Sequence, residues 1–152
     1  MSWANQRVYD SIRNIPATAL DSFVVNPEWT AGRILEHIVS GADWYVYCLT
    51  GQKLVEFEIP QSLDDVEILA TELAKRDALI LTESLKDDEL LTIQMDERVA
   101  QHFRSTIISQ AIHHATEHRA QLIDALESRR HAPINLDDID VWAHEYFEKT
   151  RT

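Results

Sequence analysis

Apolar positions along the chain fall into blocks with helical spacing, separated by short polar breaks. Ala4, Val8, Ile12 and Ile15 recur every three or four residues and predict a first helix from Ser2 to Ile15, stopped by Pro16. A connection, "ATALDSFVVNPE", leads to Trp29 and Thr30, which open a second helix, "TAGRILEHIVSGADWYVYCLTG". Thr30 has the side chain to cap that helix, and Gly51 can terminate it. Residues 51–61 form a link ending near Pro60, after which Ser62 and Asp65 have capping-box spacing for a third helix to about Leu85. The period then changes. In "KDDELLTIQMDERV", Leu91, Ile93 and Met95 alternate with Thr92 and Gln94, which predicts a short extended excursion. A fourth helix is expected over roughly Arg104 to Arg129. Beyond Pro133, Asn135 is expected to cap a short final helix carrying Ile139, Trp142, Ala143 and Tyr146 on one face.

Amphipathic helices of this length must bury their stripes against neighbours. The expected fold class is therefore all-α, a four-helix bundle with a short C-terminal helix. Only 3 glycines and 4 prolines interrupt 152 residues, which favours few, long elements and one domain over residues 1–152.

Composition narrows the class of partner. Fourteen Lys and Arg against 26 Asp and Glu give a net charge of -12, and no basic stripe is visible. Such a surface repels phosphate backbones, which argues against nucleic acid or an anionic membrane and leaves small molecules open. Cys48 is the sole cysteine, so no intramolecular disulfide can form. It lies in the apolar run "WYVYCLTG" without an evident base beside it and reads as a buried structural thiol. The first residues, "MSWANQRVYD", do not read as a leader, and no apolar run reaches membrane-spanning length, so a cytoplasmic protein is expected.

Three histidines crowd into "AIHHATEHRAQL". On a 3.6-residue wheel with Ile107 at zero, Ala111, Ala115, Leu122, Ala125 and Leu126 span about 0° to 100°. His114 then lies near -20° and His118 near +20°, at the edge of this stripe. His113 and Glu117 come out near 240° and 280°, towards solvent. His114 and His118, four apart, can grip one ion, but the same spacing suits two polar residues that have found hydrogen bonds. HxxxH is a weak signal alone, lacking the glutamate of HExxH.

A third histidine favours ligation. His37 sits mid-way along the second helix among Ile34, Leu35, Ile38 and Val39, with Gly41 leaving space one turn on and Trp44 two turns on. Three neutral imidazoles suit Zn²⁺, Ni²⁺ or Fe²⁺, and leave at least one position for water or substrate. The second and fourth helices must then be neighbours, at about 8–10 Å. A sequential square would set them diagonally, so the long link is expected to permit a less regular order.

These residues resemble the DinB/YfiT-like metalloenzyme family over essentially the whole chain. "EWTAGRILEHIVSGADWYVYCLTG" is similar to the family's Trp-led second helix with its first histidine, His37. "HATEHRAQL" resembles its H-x-x-x-H-R-x-Q segment, matching His114, His118, Arg119 and Gln121, and "LDDIDVWAHEYFEK" is similar to the tail of many members. Ala120 stands where a glycine is common, and Glu117 where many members carry another histidine. The resemblance implies a four-helix bundle of unusual helix order, a divalent metal on His37, His114 and His118, and a homodimer. It also implies metal-dependent transfer or isomerisation with a low-molecular-weight thiol such as bacillithiol or mycothiol.

The leading expectation is thus a thiol S-transferase acting on a small molecule, with Trp44 and Tyr45 walling an apolar pocket. Gln121 is expected behind a ligating imidazole, and Arg119 in packing or an interhelical ion pair. No catalytic base can be named. Metal-dependent hydrolysis and a non-enzymatic, stress-related metal-binding bundle are the alternatives. His102, His131 and His144 are read as surface residues.

Overall fold

The computed structural model describes residues 1–95 and 98–151. The protein is mostly helical: α1 (Ser2–Ile12), α2 (Ala31–Thr50), α3 (Leu63–Ser84), α4 (Arg104–Glu127) and α5 (Val141–Thr150). Strands β1 (Leu90–Met95) and β2 (Arg98–Phe103) pair antiparallel between α3 and α4, from Leu90 opposite Phe103 to Met95 opposite Arg98. The hairpin amends the all-α expectation. The alternating stretch is β1, with Ile93 turned into the core, whereas its partner strand had no alternation to reveal it.

Local chemistry sets the helix ends. Thr30 Oγ1 accepts from Arg33 N at 3.2 Å at the start of α2, and Gly51 ends it in the left-handed region at φ 74°. Ser62 and Asp65 form a reciprocal capping box on α3. Two boundaries differ from the sequence reading. α1 stops at Ile12, and residues 13–15 form tight turns before Pro16, whose ring disfavours helical backbone at the preceding residue. At the other end, Asn135 caps only a 3-10 turn, Leu136–Asp138, and Asp140 caps α5 separately by accepting from Ala143 N at 2.7 Å. The break changes the face that α5 presents: Ile139 is buried before the helix begins, while Trp142 and Tyr146 are largely exposed.

Helix order follows no sequential square. α2 packs against both α3 and α4, and α1 packs mainly against α3, so the consecutive helices α1 and α2 are not close neighbours. One core cluster joins Val8, Tyr9 and Ile12 to Ile34, Leu35, Leu73, Leu122 and Leu126. Tyr9 crosses it, its hydroxyl donating to Leu35 O at 2.7 Å. A second cluster, with Val46, Cys48, Leu49, Ile80, Ile93 and Ile107, seats the hairpin against the helices. Among the described residues, no helix is long and apolar enough to cross a membrane.

Candidate metal centre

Where α2 meets α4, His37 faces His114 and His118. One nitrogen from each ring lies within 4.8 Å of the others, and His37 Nε2 stands 3.2 Å from His114 Nε2. Ring centroids are 5.0 Å apart for His37 and His114, 4.5 Å for His37 and His118, and 4.3 Å for His114 and His118. The helical phase explains the selection. His114 and His118 are partly buried one turn apart, whereas His113 and Glu117 lie on the exposed side of α4.

Gly41 makes the convergence geometrically feasible. A Cβ on Gly41 would overlap the His114 ring, so the missing side chain is the space His114 occupies. The sequence reading assigned that space to the imidazole of α2's own His37; it serves the facing helix.

Burial depresses the basicity of two of the rings. His114 is lowered to about 4, by burial first and then by His118 and His37. His37 is also lowered, by burial and by His118, with Glu36 opposing. Neutral imidazoles with free lone pairs are the form that binds metal. The distances fit as well: nitrogens about 2.0–2.1 Å from a tetrahedral ion stand roughly 3.4 Å apart, close to the His37–His114 separation. No fourth His, Cys, Asp or Glu joins the cluster among the described residues.

The surroundings divide the expected pocket residues. Gln121 Oε1 lies 2.9 Å from His118 Nδ1, behind the ring. Tyr45 sets its ring edgewise to His114, centroids 5.6 Å apart. Trp44 instead packs on Tyr47 at 5.4 Å, in the hairpin-side cluster. Arg119 points away from the histidines into a buried network: its Nη1 donates to Asn5 Oδ1 at 2.6 Å, and Asn5 Nδ2 donates to Asp77 Oδ2 at 2.9 Å. His102 is exposed, and His131 and His144 are partly exposed, His144 resting against Trp3, so none of the three is buried in the core.

Trp29 is the neighbour that sequence reasoning missed. Its ring lies 5.1 Å from His37 and 5.8 Å from His118, and its Nε1 donates to Gln121 Oε1 at 3.0 Å. Trp29 precedes the cap of α2, so no helical wheel could place it. Its adjacency to the opening of a histidine-bearing helix was the one available signal.

Cys48 is buried on the other cluster, and burial pushes its thiol up to about 11. The model of the DinB family matches residues 1–148. A search of curated proteins finds no match.

Proposed function

This chain belongs to the DinB family, and on that premise we propose a single-domain, divalent-metal-dependent enzyme that transfers a small thiol to an electrophilic small molecule. The observation that carries this reading is the convergence of three imidazoles from two helices, His37 and His114 among them lowered in basicity by burial, with no fourth His, Cys, Asp or Glu in the cluster among the described residues. Three protein ligands are the pattern of a site with a position left for an exogenous ligand. His37, His114 and His118 would hold the ion, and the four long helices serve as the bundle that fixes them. A divalent cation there would supply Lewis acidity that lowers the pKa of a coordinated thiol. Tyr45 and Trp29 flank the imidazoles with aromatic surface, which supports an apolar approach to the site. Cys48 is unsuited to act as the nucleophile, because its thiol is buried and protonated at neutral pH. Zinc, nickel and iron all suit the donor set, and bacillithiol or mycothiol represents the thiol class. We also propose that the protein works as a homodimer.

The test follows loss of a bacterial thiol against a panel of electrophiles, with metal-loaded and chelator-stripped protein side by side. Cys48→Ser and His113→Ala should keep most turnover, whereas His118→Ala should abolish it at any thiol concentration. Turnover that survives chelation and disappears in Cys48→Ser would replace the metal reading with a cysteine nucleophile.

A further inference from the structure

We propose that Trp29 sets the tautomer of His118, acting through Gln121, and so decides whether that imidazole can serve as a ligand. The inference rests on the metal-centre reading for its consequence, but its structural content concerns the metal-free protein. An indole N–H can only donate. Because Trp29 Nε1 lies 3.0 Å from the Gln121 side chain, the amide must turn its oxygen towards the indole. The opposite orientation would set the amide NH₂ against the indole N–H, donor facing donor. That same oxygen lies 2.9 Å from His118 Nδ1, and a carbonyl oxygen accepts two hydrogen bonds. Nδ1 must therefore carry the proton. A neutral imidazole has one, so the lone pair is left on Nε2, free to take a metal.

Without the indole N–H this constraint is lost. The amide can rotate by half a turn at little cost, since its oxygen and nitrogen have nearly the same shape. The NH₂ would then donate to Nδ1 and drive the proton onto Nε2, where it blocks coordination. Trp29 is thus a positioning residue that acts from outside the histidine set. Its own placement is held locally: Trp29 N donates to Asn26 O at 3.0 Å, and Glu28 N donates to Asn26 Oδ1 at 3.0 Å, a tight turn leading into the α2 cap.

The experiment uses the full chain labelled with ¹⁵N, metal-free and at mildly alkaline pH, with two-bond proton–nitrogen spectra of the histidines. Wild type should show His118 protonated on Nδ1. Trp29→Phe keeps an aromatic ring and removes the donor, and it should shift His118 towards the Nε2–H form. Zinc affinity, measured by competition with a chromophoric chelator, should fall by about tenfold or more. The double variant Trp29→Phe/Gln121→Glu restores a side chain that can only accept, so it should return His118 to the Nδ1–H form. A general packing defect would not be repaired in this way. If His118 keeps its Nδ1 proton in Trp29→Phe, or if the added glutamate does not restore it, the proposal is overturned. His37→Ala separates this from the underlying reading. Wild-type zinc affinity in His37→Ala would remove the metal centre while leaving the tautomer result to be judged alone. Weakened zinc binding there, with an unchanged tautomer in Trp29→Phe, would remove only the role of Trp29.

Discussion

At the scale of single residues, Asp77 and His114 pull stability in opposite directions as pH changes. Asp77 is 1% exposed and its carboxyl is pushed up to about 6 by burial, against the pull of the Asn5 hydrogen bond and Arg119. A carboxyl raised in the folded state stabilises below its unfolded pKa, and that contribution is lost as pH rises from about 4 to about 6. His114, lowered to about 4 from 6.5, has the opposite sign: its contribution is whole above about 6.5 and is lost as pH falls towards 4. The two terms offset each other across that window. Asp77→Asn removes only the first, so in chelated protein its stability relative to wild type should rise between pH 4 and 6. The rise should reach up to about 3 kcal/mol, at about 1.4 kcal/mol per pKa unit. Denaturant midpoints at several pH values would measure it, and parallel curves for the two proteins would sink the argument. The sequence revealed part of this scale. Helical phase separated His114 and His118 from His113 and Glu117, because that property is local to one helix. It could not reveal the partner of Arg119, since Asn5 is brought there only by packing α1 beside the other helices.

At the scale of elements, the start of α3 and both ends of α2 were legible because their caps are written in adjacent residues. The second strand was not. β2 is exposed along nearly its whole length, so no alternation marks it, and only pairing with β1 makes it a strand. Gly41 shows how one helix position can serve a facing helix at its own expense. Replacing a mid-helix glycine with alanine normally gains about 1 kcal/mol of helix propensity. In Gly41→Ala that gain comes with a methyl group in the space of the His114 ring. The variant should keep wild-type helicity by far-UV circular dichroism yet lose zinc affinity by at least about tenfold, as His114 is forced aside. Unchanged affinity would mean that His114 is not held against α2 as described.

At the scale of the whole molecule, the apolar stripes record that a helix is buried but not against which neighbour. It was the three histidines that called for α2 beside α4 in a non-sequential order, and the two helices do pack together. The pattern also misjudged α5, and that error bears on assembly. α5 leans on α1 through His144, 5.0 Å from Trp3, and Phe147, 5.8 Å from it. This docking turns Val141 and Trp142, each 81% exposed, and Tyr146, 72% exposed, away from the core. Trp142 and Tyr146 are one turn apart and form an aromatic surface of the kind that marks interaction sites. A chain carrying -12 repels its own copy, so the proposed homodimer needs an apolar contact of this sort to overcome the repulsion. The physical consequence is a salt dependence of definite sign. Raising ionic strength from about 0.01 to 0.15 M shortens the screening length from roughly 30 to 8 Å, which weakens the repulsion and leaves apolar contact intact. Dimerisation followed by sedimentation at micromolar concentration should therefore strengthen with salt, whereas an interface built on ion pairs would weaken. Trp142→Asp should leave a monomer at every salt concentration. A monomeric wild type throughout, or a dimer indifferent to Trp142→Asp, would remove α5 from the interface.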